Sequence, residues 1–158
     1  MEEHNKNIVY DLYKALATGD TTTVQRVLAP DIEWWFHGPP SNKCNLMRVL
    51  TSKGYSSCHS ISFEPLSIVG IGTMVLAEGY QVHQNRKTYW VHAWTVDNGK
   101  IITEVKEYHN SSVIVVTRIK KSINDVVDLA SPGCLKPSKM WQSKLANNAY
   151  LPRLLLVL

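Results

Sequence analysis

The chain has 158 residues, 44% of them hydrophobic and 19% charged, and this composition describes one globular domain with enough apolar content for a core. The longest apolar run, Leu154 to Leu158, is far too short to span a bilayer. The net charge of +4 is lopsided: residues 1 to 117 hold ten Lys and Arg against eleven Asp and Glu, while residues 118 to 158 hold seven against two.

The basic character therefore belongs to a C-terminal segment, and with no recognised binding motif beside it a solvated tail outweighs a nucleic-acid site. Cys44, Cys58 and Cys134 stand at spacings that match neither a disulfide framework nor a zinc motif, which implies reduced thiols. The opening MEEHNKNIVYDLY is acidic and lacks the basic-then-apolar order of a signal peptide. The expectation is a cytoplasmic protein, small enough to reach the nucleus as well.

In NIVYDLYKALATGD, Ile8, Leu12 and Leu16 recur every four residues and Val9 and Tyr13 widen the stripe, so a helix runs to Gly19. DTTTVQRVLAP reads as a second short helix, capped by Asp20 or a threonine, with Val24, Val27 and Leu28 inward. DIEWWFHGPP is a strand opening into a loop; Trp35 and His37 share one parity, and Ile32, Trp34 and Phe36 form the other, more apolar stripe. NLMRVLTSKG is a third helix stopped by Gly54. From Ser60 onward SISFEPLSIVGIG, TMVLAEGYQVH, TYWVHAWTV and KIITEVKEYHN are rich in β-branched and aromatic residues between turn signals, hence strands. SSVIVVTRI is either a further strand or a continuation of the last. Beyond Lys120, SPGCLKPS reads as a linker to an apolar MWQSKLANNAYLPRLLLVL able to dock on the body. Helices first and antiparallel strands after them make an α+β domain, helices against one sheet face.

Asn98-Gly99 carries the chemistry's geometry, because this pair favours a two-residue type I′ hairpin turn. Such a turn sets Trp94 opposite Thr103, His92 opposite Val105 and Trp90 opposite Glu107, all on one face. Tyr89, Val91, Ala93, Thr95, Ile102, Glu104, Lys106 and Tyr108 take the other face, a mixed, partly wet or subunit-facing surface. A three-residue loop would shift this register. In the preceding hairpin, a turn on Asn85-Arg86 places Gly79 opposite His92, leaving room beside the imidazole and Glu78 on the outer face.

A carboxyl buried among tryptophans is costly when ionised, so the pKa of Glu107 is expected to rise and the group to shuttle protons with a histidine partner. The competing reading is a core carboxylate hydrogen-bonded to His37 or His92 that holds a helix–sheet interface. Two histidines and a carboxylate also fit a zinc site in kind, but no HExxH-like spacing accompanies them and no metal is expected.

EWWFHGPP, NLMRVLT, VLAEG, WVHAWTVDNGKIITEVKEY, VTR and the closing KMWQSKLANNAYLPRLLLVL, in this order, resemble the plant wound-induced and senescence-associated protein family, over nearly the whole chain. One departure falls at His109, where that family carries an aromatic. The family sits in the SnoaL-like branch of the nuclear-transport-factor-2-like (NTF2-like) superfamily. The resemblance implies an α+β cone: a strongly curved antiparallel sheet, with three N-terminal helices enclosing a pocket, over residues 1–119. Residues 120–158 are then a basic extension partly docked on it. It implies a homodimer through the outer sheet face, with Val91, Ala93 and Ile102 in the interface. In the related limonene-epoxide hydrolase a catalytic aspartate falls at Glu107 and first-strand pocket residues fall at Trp35 and His37. Gly79 and Gln81 stand nearest its arginine and second aspartate, so that triad has no counterpart here. The expectation is a small hydrophobic metabolite lined by Trp35, Trp90, Trp94, Val105 and Gly79. Glu107, His92 and His37 would serve as catalytic or polar groups, without a cofactor, in isomerisation, cyclisation or hydration of a carbonyl-bearing substrate. The rival is a non-catalytic interaction module whose cone is filled by its own side chains.

Overall fold

The computed structural model describes residues 1–39, 45–51, 62–83, 85–117, 139–145 and 153–158. The first helix, α1 (Glu2–Thr18), ends on Gly19 at φ 70°, a left-handed cap that glycine adopts without strain. Its apolar stripe buries Val9, Leu12 and Tyr13. α2 (Thr21–Val27) begins at Asp20, whose carboxylate accepts the Thr23 N–H at 3.1 Å. The chain passes directly into β1 (Leu28–His37), where Pro30 is tolerated because the strand lies at a sheet edge and its register shifts between Leu28 and Glu33. α3 (Leu46–Thr51) is a short turn of helix; the Gly54 stop and the SPGCLKPS linker lie outside the described residues.

β2 (Ser67–Ile71), β3 (Met74–His83), β4 (Arg86–Asp97) and β5 (Ile101–His109) form with β1 a five-stranded sheet in the order β1-β5-β4-β3-β2. β1 runs parallel to β5 while the remaining pairs are antiparallel, so the sheet is mixed. Two helices precede the first strand and the third follows it. One face packs against the helices: Val9, Leu12, Tyr13, Val27 and Leu46 meet Val75, Ala77, Trp90, Trp94, Val96, Ile102 and Val105 in a single core.

The β4–β5 hairpin departs from the expected register in an instructive way. Asn98 and Gly99 both take positive φ, 50° and 63°, as the sequence pair suggests. The ladder nevertheless starts at Asp97 opposite Ile101, so the loop holds three residues. A second irregularity follows, because Val96 pairs with Ile102 and Thr95 with Glu104, leaving Thr103 as the extra residue of a bulge. Each irregularity slips the pairing by one residue. Together they slip it by two, which restores the facing of the side chains. His92 thus meets Glu107, Trp94 meets Val105 and Trp90 meets His109. The expected face survives; the expected partners do not. Ile102, placed on the outer face from the sequence, lies in the helix-side core beside Val96, and Thr103 does not, because the bulge inverts parity between Ile102 and Val105 along β5. In the β3–β4 hairpin His83 pairs with Arg86, and Gly79 consequently faces Trp90 rather than His92.

SSVIVVTRI is a separate strand, β6 (Ser112–Thr117), flanked by β7 (Lys139–Gln142) and β8 (Arg153–Val157) in a second, three-stranded sheet. This sheet covers the outer face of the first. Tyr89, Val91, Ala93 and Tyr108 are buried in one cluster with Val113, Val115 and Trp141, and Leu145, Leu154 and Leu156 pack on it. The surface expected to meet a second subunit is therefore occupied by the chain's own C-terminal strands. Polar bonds key them in place. Glu78, fully buried on that face, accepts the Tyr89 hydroxyl at 2.7 Å and the Lys144 N–H at 3.3 Å. The Tyr80 hydroxyl donates to the Leu145 carbonyl, and Ser143 meets Tyr89.

Candidate functional site

The helix-side face of β4 and β5 gathers Trp90, His92, Trp94, Val105 and Glu107, all fully buried. His92 lies within an aromatic cage: Trp90 stacks at 4.5 Å between ring centroids, Phe63 lies at 4.8 Å and Trp94 meets it edge-on at 5.7 Å. The fourth ring comes from α1, where Tyr13 stacks nearly parallel at 6.0 Å. Gly79 makes this packing possible. A Cβ there would lie 2.7 Å from Trp90 Cζ2 and 2.6 Å from the Glu64 carbonyl oxygen, so the missing side chain accommodates the indole.

Glu107 is the hub. Its carboxylate accepts the indole N–H of Trp34 at 3.2 Å and the backbone N–H of Leu46 at 3.0 and 2.9 Å to its two oxygens. His92 Nε2 lies 3.0 Å and His109 Nε2 3.1 Å from Oε2. Burial pushes its pKa upward, but the hydrogen bonds donated by His109 and His92 act against burial and the carboxyl is held at about 2. The expected upward shift is thus reversed: the carboxyl is buried, but buried among donors.

These contacts fix the protons. An ionised carboxylate only accepts, so His92 carries its hydrogen on Nε2. Burial lowers the pKa of His92 in spite of its carboxylate partner, and the ring is neutral with a bare Nδ1. That nitrogen accepts the Tyr13 hydroxyl at 2.6 Å, and the Tyr13 oxygen accepts the Trp94 indole N–H at 2.9 Å. Burial raises the Tyr13 pKa well above its ordinary value, so the phenol keeps its proton. The result is one oriented chain from Trp94 through Tyr13 and His92 to Glu107.

Two of the residues expected here lie elsewhere. On β1 it is the even stripe, Trp34 and Phe36, that turns toward Glu107 and His109. Trp35 is 62% exposed and His37 is exposed beside Tyr108, because alternation along an edge strand sends the odd residues to the opposite face. Sequence reasoning missed Tyr13, Trp34 and His109. His109 shares the parity of Val105 and Glu107 and could have been read from that alternation; Tyr13 sits on a helix whose approach to the sheet no local pattern encodes. Among the described residues no group of three or more His, Cys, Asp or Glu side chains is spaced to hold a metal ion.

Solved structures share this architecture. An NTF2-like protein from Burkholderia xenovorans LB400 superposes with a TM-score of 0.52 at 28% identity, covering 69% of this chain and 91% of that one. Bal32a, from a soil-derived mobile gene cassette, gives 0.56 at 13% identity over 68% of this chain and 90% of its own. The fold is the α+β fold of NTF2-like proteins. Within it, residues 47–158 match the profile of the wound-induced protein WI12 family. Senescence associated gene 20 of Arabidopsis thaliana is 41% identical over 108 residues, 67% of this chain and 93% of that protein. Wound-induced protein 1 of Solanum tuberosum is 39% identical over 101 residues, 64% of this chain and 88% of that protein. The chain belongs to the WI12 family.

Proposed function

We propose that this chain serves a plant's response to wounding or senescence, as the names of its relatives suggest, by binding a small hydrophobic molecule at the aromatic face of its first sheet. The observation that carries the reading is the convergence of one oriented polar chain, Trp94–Tyr13–His92–Glu107, within a wall of aromatic rings. Apolar sites with a few fixed polar groups are the usual design of small-molecule pockets. Any proton transfer would run through Tyr13 and His92. Glu107, with its pKa near 2, holds no proton to give at neutral pH; it fixes the His92 tautomer and would stabilise an imidazolium, as the carboxylate of a catalytic triad does. Proton transfer from the Tyr13 hydroxyl would go to His92 Nδ1.

A second reading is favoured by one specific observation: every described contact of Glu107 is a donor already satisfied inside the protein, and Trp90 and Trp94 are fully buried. In that reading the network is a self-filled core and the protein works through its surfaces. Titrating tryptophan fluorescence with fractionated apolar metabolites separates the two. Saturable quenching that weakens in Tyr13→Phe supports the binding site. The absence of any saturable change across the fractions, in a wild-type protein shown to be folded, supports the filled core.

A further inference from the structure

The helix-side face carries three indoles, and two of them have acceptors: Trp34 donates to Glu107 and Trp94 to Tyr13. The third, Trp90, is fully buried, and its Nε1–H has no hydrogen-bond partner among the described residues. A second buried donor in the same condition is Gln81 Nε2. Buried N–H groups are rarely left unpaired, because the lost hydration is not recovered.

The register places these groups together. Gly79 faces Trp90, and Gln81 faces Thr88, so Gln81 is the diagonal cross-strand neighbour of Trp90. Such neighbours stand roughly 7–8 Å apart at the backbone, within reach of two long side chains converging on one atom. Gln81 lies two residues beyond Gly79 and thus projects from the same face as the indole that Gly79 accommodates.

We propose that Trp90 and Gln81 form a donor pair that takes the oxygen of a neutral carbonyl on an otherwise apolar molecule. This rests on the ligand-binding reading above and names its ligand class. Both donors are uncharged, and among the described residues no Lys or Arg is buried with them. The ionised Glu107 on β5, the strand beside that of Trp90, opposes a second anion, which disfavours a carboxylate ligand. The rings of Phe63 and Tyr13, at 5.3 and 5.9 Å from Trp90, supply the apolar surround.

Three probes of one size test it on the full chain: 2-acetylnaphthalene, 2-ethylnaphthalene and 2-naphthoate. Affinities come from calorimetry, and the indole N–H resonance of Trp90 is followed by NMR. The ketone should bind wild type roughly fivefold more tightly than the hydrocarbon, the scale of one net hydrogen bond, and should move the Trp90 resonance downfield. In Gln81→Met that preference should shrink to roughly twofold or less while hydrocarbon binding is kept. The wild-type resonance needs no variant and stands even where Gln81→Met fails to fold. Equal binding of ketone and hydrocarbon with an unmoved Trp90 resonance overturns the donor pair and leaves the hydrophobic site standing. Tightest binding by the naphthoate overturns the neutral-carbonyl class. If none of the three binds, the binding reading itself falls, and this proposal with it.

Discussion

Replacing Glu107 by glutamine tests the hub directly. The carboxyl is held at about 2 in the folded chain against an ordinary value of 4.5. At 1.36 kcal/mol per unit this is about 3 kcal/mol of stability tied to the ionised form. The group is fully buried, so solvent screening takes little from it. Because the folded pKa is depressed, the contribution is complete above about pH 5 and is lost as the pH falls toward 2. A glutamine keeps the shape but turns an N–H₂ toward a site that already converges donors from Trp34, Leu46, His92 and His109. We therefore expect Glu107→Gln to lose about 3–4 kcal/mol at pH 7, in line with removing one member of a buried charged network. For a chain of this size that is roughly a 10 °C fall in Tm. Urea unfolding followed by tryptophan fluorescence at pH 7, 5 and 3 measures both parts. Wild type should lose about 2 kcal/mol of its advantage over the variant between pH 7 and pH 3, the remainder going only as the pH falls through 2. A variant within about 1 kcal/mol of wild type at pH 7, with a parallel pH dependence, would refute the claim that Glu107 is held ionised by its donors.

Tyr13→Phe strips the acceptor from Trp94 Nε1 and the donor from His92 Nδ1. It should cost about 2–4 kcal/mol in chemical denaturation, two buried groups being left unpaired. Gly79→Ala forces a Cβ against the Glu64 carbonyl and the Trp90 ring. A loss of about 1–3 kcal/mol in thermal unfolding should accompany it, with a changed Trp90 emission. Trp35→Ser, on the exposed side of β1, should leave stability within about 0.5 kcal/mol and remove the most red-shifted component of the emission. Deleting residues 139–158 strips Trp141, Leu145, Leu154 and Leu156 from the cluster around Tyr89, Val91, Ala93 and Tyr108 and removes the Lys144 N–H from Glu78. The truncated chain should bind a hydrophobic dye and self-associate in size-exclusion chromatography, whereas the full chain should do neither.

Much of this arrangement could be read from residue order alone, where the signal is local. The four-residue spacing of Ile8, Leu12 and Leu16 marks α1, and the two-residue spacing of Trp90, His92 and Trp94 marks the helix-side face of β4. The family resemblance leads to the NTF2-like fold and to a cluster around Glu107. What escaped depends on contacts between distant segments. Burial alone argues for a raised Glu107 pKa; only the folded register, which brings His109 and His92 onto the carboxylate together with Leu46 from α3 and Trp34 from β1, shows that it is over-supplied with donors. Trp35 and Trp34 are adjacent and chemically alike, and the facing of an edge strand is set by its pairing with β5, which composition does not encode. The outer face of β4 looks like a subunit surface in isolation. Its partner is the second sheet, β6 to β8, whose strands are scattered over residues 112 to 157 and which no local pattern in β4 announces.

The double slip in the β4–β5 hairpin has a consequence for how this connection can change. Inserting or deleting a single residue between Val96 and Glu104 would turn Val105, Glu107 and His109 outward and bring Lys106 and Tyr108 into the core. Length variation in this stretch is therefore tolerable only in even steps, or when a one-residue change in the loop is matched by loss or gain of the bulge at Thr103. The loop behaves as a reading frame, and its phase decides which half of β5 the helices meet.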